Sequence, residues 1–464
     1  MNHLMAGTGR CDITPAPGTP QGGWGAQTHQ RGSGADMPLR VTALVISDSQ
    51  QRCAIIDVDN CGFETPWILQ TIQVVSDLTG IPPDNIRLSY SHTHSGPNNY
   101  RMAVISEGRD MILSYMEDIP RRIAGAVWQA ERALRPVRYA AGTGVCKINV
   151  NRRDKTPEGW AVGRNTTAPV DHTVRVVRFD DLNESPVATI VHYACHPTTI
   201  AWQNQLFTPD YPGVVRKVVE EQIGGTCLFL QGAAGNIGPK YGFTGDLKVY
   251  RRLGTMLGLE ASSVAASLET LPRRQQFIRL QASGAPIAIY EDLPSESGLP
   301  ILGVNSCTIK MPLRPGPSLD EVQNEVRESV EALNRLRQRK ISEEDIRLAT
   351  ARAVQAEDKL AMVREYEGKT HIDWRMMGIR IGDIALLSVP GEPLTEVNHS
   401  IVAKSPFPHT LFSGYSNGGF GYLPTAELYK EGGYEVEASP FSPSASELVV
   451  TEGLEMLRRL WAAN

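Results

Sequence analysis

Two histidines separated by one residue stand in the segment 91–97, which reads Ser-His-Thr-His-Ser-Gly-Pro and follows the apolar run 86–90. Alternation along an extended chain would place His92 and His94 on the same side, close enough to serve one metal ion or one reacting atom. The whole chain of 464 residues contains ten histidines. The segment therefore predicts a metal site or a proton-transfer site at the end of a strand.

A second pair of histidines, His192 and His196, lies at the end of the β-branched run 187–193. His196 stands beside Pro197 at the carboxyl end of this predicted strand, where α/β proteins place functional groups. A purely structural histidine is an equally good interpretation of His196. His192 lies deeper in the apolar run and is predicted to be a core histidine with satisfied hydrogen bonds.

A single carboxylate, Glu392, follows the apolar run 384–389 and is held between Pro390-Gly391 and Pro393. Such a rigid segment suits a metal ligand or a general base. A carboxylate is also favourable at the N-terminus of a helix. A cap on a helix that begins at Pro393 is therefore the alternative role for Glu392.

Three further segments could contact a ligand. The glycine-rich segment 230–239 lacks the Gly-Lys-Ser/Thr of a phosphate-binding loop, and it predicts a substrate-facing turn, an oxyanion-binding turn or a plain tight turn. The glycine-rich loop 415–425 carries two tyrosines and is weakly specific. Arg152 and Arg153 follow a polar strand, and the arginine fork suits a carboxylate or a carbonyl oxygen, with a surface ion pair as the alternative.

Short apolar, β-branched runs alternate with amphipathic segments along most of the chain, which is typical of α/β proteins. Strands are predicted at 41–46, 53–58, 86–90, 187–193, 226–230 and 384–389. Helices are predicted at 63–78, 111–134, 211–222, 247–268 and 446–461. Because this interleaving argues against separate all-α and all-β domains, we expect an α/β fold over 1–464, a single large domain with mixed β-sheets flanked by helices.

A helical hairpin is expected near 318–365, beyond the proline-rich segment 312–317. Ser318 and Glu321 form a capping box in front of an apolar stripe, and a second amphipathic segment starts at Ser342. We expect this hairpin to be peripheral. It would pack on its own domain or, alternatively, form a contact between copies in a homo-oligomer.

Composition excludes several classes of protein. The formal net charge of −5 comes without a basic stripe, which argues against a nucleic-acid partner. No window resembles a membrane span and the N-terminus does not resemble a secretion signal, so a cytoplasmic protein is expected. The seven cysteines are scattered and form no Cys-x-x-Cys pair, so neither a disulfide framework nor a thiolate zinc site is indicated.

Taken together and in this order, the segments resemble the N-terminal catalytic domain of the neutral/alkaline, non-lysosomal ceramidase family. The resemblance begins at 7–15, which reads Gly-Thr-Gly-Arg-Cys-Asp-Ile-Thr-Pro. It continues through these segments: 91–97, 149–152, 196, 208–213, 231–239, 390–392 and 422–425. It therefore spans nearly the whole chain.

The resemblance implies one zinc ion (Zn²⁺) per chain, bound by four residues: His92, His196, Glu392 and Tyr422. It also places His94 beside the metal and Arg152 in the active site. Two histidines with one glutamate are an ordinary environment for catalytic zinc, which keeps a position for water or substrate. The chemistry of the residues and the resemblance thus agree.

The chain departs from the family at the nucleophile. The family's serine lies in a Gly-Asp-x-Ser-Pro segment, which reads Gly-Asn-Ile-Gly-Pro at 235–239 here, so Gly238 cannot attack a substrate. We therefore expect attack by metal-activated water, since zinc lowers the pKa of water from about 15.7 to about 7. Proton transfer is assigned to His94. Oxyanion stabilisation is assigned to Arg152 and the backbone of the turn, represented by Gly235, Asn236 and Gly238.

The expected function is a zinc-dependent hydrolase that cleaves an amide or ester bond, lactones included, in a small-molecule substrate that is small or polar. The missing serine argues against ceramide itself, as does the end of the chain at Asn464, without the family's C-terminal immunoglobulin-like domain. Two alternatives are a catalytically silent, metal-stabilised ligand-binding protein and a sugar-directed deacetylase or lactonase on the same scaffold.

Overall fold

A mixed eight-stranded sheet organises the first half of the chain in the computed structural model, which describes residues 4–99, 101–295, 301–339, 342–419 and 421–463. Its strands and those of the smaller sheets are β1 (Leu4–Asp12), β2 (Gly34–Ala35), β3 (Arg40–Ser47), β4 (Arg52–Val58), β5 (Ile86–Tyr90), β6 (Arg135–Val145), β7 (Asn149–Thr156), β8 (Gly159–Asn165), β9 (Thr173–Asp181), β10 (Pro186–Tyr193), β11 (Leu206–Phe207), β12 (Thr226–Gln231), β13 (Ile237–Pro239), β14 (Arg273–Gln281), β15 (Ile287–Pro294), β16 (Leu302–Pro312), β17 (His371–Ile381), β18 (Ile384–Ser388), β19 (Glu392–Pro393), β20 (His409–Ser413) and β21 (Tyr422–Leu423).

The helices are α1 (Thr65–Thr79), α2 (Arg109–Arg132), α3 (Asp210–Ile223), α4 (Leu247–Ser267), α5 (Leu319–Gln338), α6 (Glu343–Tyr366), α7 (Thr395–Val402), α8 (Tyr434–Glu437) and α9 (Ala445–Ala462). The predicted α/β fold is confirmed. All six predicted strands and all five predicted helices are present, with ends that shift by two residues at most.

Two sheets pack face to face between outer helices. The large sheet has the order β12-β10-β9-β6-β1-β3-β4-β5, and the second sheet has the order β16-β17-β18-β20. Residues such as Leu44 and Ile46 point to the core between the two sheets. Their neighbours Val41, Ala43 and Val45 point to the core beneath α1 and α2. Because both faces of the large sheet are covered, its strands read as nearly continuous apolar runs.

The remaining helices complete four layers. Helices α3 and α4 cover the β9-β10-β12 part of the large sheet, on the same side as α1 and α2. Helices α7 and α9 cover the far face of the second sheet. The parallel pair β4–β5 ends at Val58 and Tyr90, the parallel pair β10–β12 ends at Tyr193 and Gln231, and the predicted site segments follow β5, β10 and β12.

The predicted helical hairpin is confirmed as α5 and α6, although its residues 340 and 341 lie outside the described part. The capping box of Ser318 is present. The hairpin docks on its own chain, because Arg101 forms an ion pair with Asp358 at 2.7 Å and the backbone N–H of Ala103 donates to Glu357 at 2.9 Å. In the described ranges, no helix has the length and apolar character needed to span a bilayer.

Candidate metal centre

His92 lies in the loop that follows β5, not in an extended strand. Its φ is 68°, in the left-handed region that residues other than glycine rarely adopt, and its N–H donates to the carbonyl of Asn60 at 2.9 Å. The predicted strand alternation of His92 and His94 is therefore wrong, because β5 already ends at Tyr90. The predicted proximity is confirmed, since the two rings lie 5.0 Å apart at 85°.

His196 is positioned by the elements on either side of β10. Its backbone N–H donates to the carbonyl of Ile237 at 2.9 Å. The preceding carbonyl, of Cys195, accepts a hydrogen bond from the Gln231 amide at 2.7 Å and another from the Tyr211 hydroxyl. Strand β12 and helix α3 therefore fix the backbone from which His196 projects.

Glu392 belongs to the short strand β19, which pairs in parallel with β21 so that Glu392 lies opposite Tyr422. Its carboxylate Oε2 lies 3.1 Å from His196 Nε2 and 3.6 Å from His92 Nε2. The alternative of a helix cap is wrong, because α7 begins at Thr395 with Leu394 as its N-cap. The structure thus brings together three of the four predicted metal ligands from distant segments.

The hydrogen bonds of the two imidazoles show what this cluster needs. Nδ1 of His92 lies 2.5 Å from the carbonyl of Cys61, and Nδ1 of His196 lies 2.6 Å from that of Ala234. A carbonyl only accepts, so each Nδ1 carries the proton and each neutral ring presents a lone pair at Nε2. Burial lowers the pKa of both His92 and His196 well below the ordinary value, which favours these neutral rings.

The two Nε2 atoms are only 3.1 Å apart. Because each presents a lone pair and neither carries a proton, they cannot hydrogen-bond to each other. Together with the Glu392 carboxylate they form a repulsive group that a cation would stabilise. Ligand atoms about 2.0–2.1 Å from a tetrahedral zinc ion would be roughly 3.4 Å apart. The distances of 3.1–3.6 Å observed here therefore fit the donor set of one such ion.

Two tyrosines stand next to Glu392. The Tyr415 hydroxyl donates to Glu392 Oε2 at 3.4 Å, and the Tyr422 hydroxyl accepts from Arg152 Nη2 at 3.0 Å. Tyr415, like His92, has a left-handed φ of 56°. Tyr422 as a metal ligand stays a prediction. The role of Tyr415 was missed by sequence reasoning, although its glycine-rich loop was the available signal; Phe420 of that loop lies outside the described residues.

His94 stands beside the cluster with one nitrogen still available. Its Nδ1 donates to the carbonyl of Gly23 at 2.9 Å, and its Nε2 has no hydrogen-bond partner among the residues that the structure describes. Burial lowers the pKa of His94 to about 4, so that the ring is neutral at neutral pH. The lone pair of this nitrogen is the feature that a general base requires.

Arg152 and Arg153 share one buried carboxylate, so the alternative of a surface ion pair is wrong. Glu435 accepts from Arg152 Nε at 3.0 Å and from Arg153 Nη1 at 3.1 Å, with only 3–5% of these side chains exposed. Nothing in the sequence pointed to Glu435, which lies 283 residues beyond Arg152. Glu435 holds the guanidinium group of Arg152 in place, and Nη2 of Arg152 donates to the hydroxyl of Tyr422.

In the predicted oxyanion-binding turn, groups of Gly235 and Asn236 already form hydrogen bonds with other residues of the protein. The N–H of Gly235 donates to Pro393 at 2.9 Å, and the Asn236 side chain accepts from the N–H of Thr395 at 2.9 Å. These bonds anchor β19 and α7, and the assignment of Gly235 and Asn236 to an oxyanion stays a prediction. Gly238 lies in β13, and a Cβ built there would be 3.6 Å from Arg152 Cβ, an ordinary contact distance.

A cavity of about 1270 Å³ opens beside these residues. His94, Arg152 and Tyr422 line it on one side, and α6 with the segment 313–317 lines it on the other. The hairpin is thus peripheral to the sheets but forms a wall of the cavity. His192 lies apart in the core, where its Nε2 bonds the carbonyl of Phe412 at 2.9 Å while its Nδ1 has no partner among the described residues.

Solved structures and curated sequences resemble this chain. Neutral ceramidase from Pseudomonas aeruginosa is 23% identical over 94% of the chain and 69% of its own length. Its crystal structure matches with a TM-score of 0.67 at 18% identity, covering 99% of this chain and 75% of that one. Neutral ceramidase B from Dictyostelium discoideum is 27% identical over 48% of the chain.

The chain aligns with only about a third of the length of two relatives from Dictyostelium discoideum, 32% of neutral ceramidase B and 33% of neutral ceramidase A. The family model described as neutral/alkaline non-lysosomal ceramidase, N-terminal, matches residues 4–238. This match covers half of the chain and includes the segments of His92, Arg152 and His196. The chain therefore belongs to the neutral/alkaline non-lysosomal ceramidase family.

Proposed function

We propose that this protein is a zinc-dependent hydrolase that cleaves the amide bond of an N-acyl substrate. The observation that carries the proposal is the buried group of two imidazole lone pairs and one carboxylate within 3.6 Å of one another. A protein stabilises such a group most simply by binding a cation. His92, His196 and Glu392 would bind the ion, with Tyr422 as the fourth ligand.

The residues around this cluster suit hydrolysis. A bound zinc ion would polarise the substrate carbonyl and lower the pKa of a water molecule. The free Nε2 of His94 would accept a proton and return it to the leaving amine. The Arg152 fork, fixed by Glu435, would stabilise negative charge on the carbonyl oxygen. Gly238 leaves space beside Arg152 in which a water molecule could stand.

The size of the cavity changes the expected substrate. A volume of about 1270 Å³ exceeds the roughly 300–1,000 Å³ of pockets for drug-sized ligands. Its lining includes apolar residues of α6 such as Val354 and Met362. A bulky amide with an acyl chain fits this volume better than the small or polar substrate that we expected. Since the similar proteins are named ceramidases, ceramide belongs at the head of the substrate panel.

Metal content tests the centre directly. We expect elemental analysis to find one zinc ion per chain in the wild type and none in His92→Ala or His196→Ala. His371→Ala is the matched control, because His371 is exposed on β17 and should leave the zinc content unchanged. Unchanged zinc in both ligand variants would contradict the proposed site.

Activity tests the reaction class. Ceramide, shorter N-acyl amides and matched esters would be assayed with and without a chelator, followed by addition of zinc. We expect amide hydrolysis that the chelator abolishes and zinc restores. Turnover that persists in chelator would contradict the proposal. Bound zinc without turnover on any of these substrates would favour a metal-stabilised ligand-binding protein.

A further inference from the structure

Arg87 is a charged side chain that lies entirely inside the core. It belongs to β5, and none of its surface is exposed. Burial lowers the pKa of its guanidinium group to about 10, so that it remains a cation at neutral pH. The acid that interacts with it electrostatically, Asp57, forms its ion pair with Arg216 instead, at 3.0 Å. Because burial of a charge is costly, the position of Arg87 requires an explanation.

The guanidinium group of Arg87 donates hydrogen bonds to serine hydroxyls on three different strands. Nη1 donates to Ser89 at 2.6 Å, Nε donates to Ser388 at 2.7 Å, and Nη2 donates to Ser413 at 2.6 Å. Ser89 lies on β5 of the large sheet, whereas Ser388 and Ser413 end β18 and β20 of the second sheet. The planar fork of one arginine therefore joins the two sheets.

Each of these serines stands shortly before a residue of the candidate metal centre. The pairs are Ser89 with His92, Ser388 with Glu392, and Ser413 with Tyr415. Few residues lie between each serine and the residue that follows it, so a shift of a strand end would be passed on to the centre. The three bonds of Arg87 therefore fix the strand ends from which these side chains are placed.

The same network reaches the segment of His196. The Ser413 hydroxyl donates to the carbonyl of Gln231 at 2.6 Å, and the side-chain amide of Gln231 donates to the carbonyl of Cys195 at 2.7 Å. Cys195 directly precedes His196. Because Arg87 uses the acceptor side of the Ser413 hydroxyl, the hydroxyl proton is directed to Gln231. All the ligands that cluster in the candidate centre are thus linked to one buried side chain.

The candidate centre needs such support, because its donor atoms repel one another at distances of 3.1–3.6 Å. We propose that Arg87 is a positioning residue, which holds the ends of β5, β18 and β20 so that His92, His196 and Glu392 meet around one metal ion. Arg87 would act through the serines and would not touch the ion or the substrate. This inference rests on the proposed zinc centre but not on the hydrolysis of any particular substrate.

Zinc affinity tests the assignment without any substrate. Chelator-treated protein would be titrated with zinc against a competing metal-binding dye. We expect Arg87→Met to weaken zinc binding by about 10–100-fold, the usual cost of losing a residue that supports metal ligands. Arg87→Lys should lose less, because it keeps the charge but not the fork that reaches three hydroxyls at once.

A second buried arginine provides the matched control. Arg380 is 7% exposed and donates to the carbonyls of Leu460 and Ala463 at the end of α9. Arg380→Met should therefore destabilise the protein while keeping the wild-type zinc affinity. The visible absorption of bound Co²⁺, which reports ligand geometry, should change in Arg87→Met and stay unchanged in Arg380→Met. An equal loss of zinc affinity in both variants would overturn the inference, since destabilisation alone would then explain it.

Milder variants decide the question if Arg87→Met does not fold. Ser388→Ala and Ser413→Ala should each weaken zinc binding, and in a folded Arg87→Met background Ser413→Ala should cause less than its full loss, because both belong to one network. Wild-type zinc affinity in both serine variants would overturn the inference and leave the zinc centre intact. A wild type that binds no zinc would instead contradict the proposed function, and the inference with it.

Discussion

The segments 91–97 and 192–198 can be compared directly, because each lies at the carboxyl end of a strand of the large sheet and each carries two histidines. In both, one histidine belongs to the candidate metal centre, with Nδ1 on a backbone carbonyl and Nε2 pointing at Glu392. The second histidines differ. His94 follows His92 and lines the cavity, whereas His192 precedes His196 and is buried within β10.

In this pair, position relative to the strand end decides which second histidine lines the cavity. Inside β10, Nε2 of His192 bonds to the carbonyl of Phe412, and Arg175 lies opposite His192 on β9. Each histidine keeps one nitrogen without a partner among the described residues, but only His94, beyond β5, is among the residues that line the cavity. His192 therefore packs inside the strand, whereas His94, beyond the strand end, is the residue that we propose for proton transfer. Substitutions in the two segments should separate activity from stability.

The largest effect should come from His94→Gln. We expect kcat/KM for amide hydrolysis to fall by about 10²–10⁴-fold, the usual range for loss of a general acid–base group. Zinc content should remain at the wild-type level, because Nε2 of His94 is not among the atoms that meet Glu392. Elemental analysis and steady-state kinetics on the same preparation would check both parts. Loss of zinc together with activity would make His94 a metal ligand instead.

The next effect concerns Gly238 in β13, the strand whose Ile237 carbonyl accepts a hydrogen bond from the N–H of His196. Gly238→Ala should lower turnover by about tenfold or more if the attacking water occupies the space that we propose beside Arg152, because the methyl group would misplace it, and small displacements of reacting groups lower rates strongly. Gly238→Ser adds a hydroxyl of the kind that the family uses. We expect this variant to recover activity relative to Gly238→Ala. Equal activity of glycine, alanine and serine proteins would exclude any role for this position.

Sequence reasoning located correctly those strands and helices that depend on local residue patterns. The periodicity of apolar residues located the strands β5 and β10 and the helix α3, since burial on one or both faces imposes it directly. His92, His196 and Glu392 were candidates from their residue types and positions, and the resemblance to a family selected them as one ligand set; their spatial proximity depends on pairings across the whole chain. Neither source could reveal Glu435, because an acidic residue becomes a buried partner only through contacts made 283 residues away.

The conformation of His92 shows the same limit at one residue. Strand alternation assumed an extended backbone, but Asn60 binds the N–H of His92 and the chain turns to a φ of 68°. This hydrogen bond joins two loops of the large sheet, so no window around the Ser-His-Thr-His motif contains its cause. Strained conformations at functional sites are where local rules are expected to fail.

A smaller effect, on stability, is expected at His192. Burial lowers its pKa to about 3 from an ordinary 6.5, so the unfolded chain binds a proton that the folded protein rejects. Stability from the neutral ring is present above pH 6.5 and is lost as the pH falls, by roughly 1.4 kcal/mol per pH unit. His192→Gln cannot titrate, and should therefore lose less stability on acidification than the wild type.

Urea unfolding at pH 8 and pH 5, in chelator so that zinc is not a variable, would test this. At pH 8 the variant should be less stable by about 1–2 kcal/mol, because the amide fills the imidazole site imperfectly. At pH 5 this difference should shrink or reverse. A difference that is the same at both pH values would show that the His192 ring titrates normally in the folded protein.

The smallest effect should come from Cys61→Ala, and it tests how far the two segments are equivalent. The thiol Sγ of Cys61 lies 3.9 Å from His92 Nδ1, and Cys61, His92 and His94 form a second group of potential ligands. In the other segment, the carbonyl that holds His196 belongs to Ala234, which has no polar side chain.

If the equivalence holds, the carbonyl of Cys61 orients His92 and the thiol is dispensable. Zinc content and kcat/KM of Cys61→Ala should then stay within about twofold of wild type, since a backbone carbonyl is unaffected by the substitution. A loss of zinc comparable to that of His92→Ala would place the thiol among the ligands and break the parallel between the two segments.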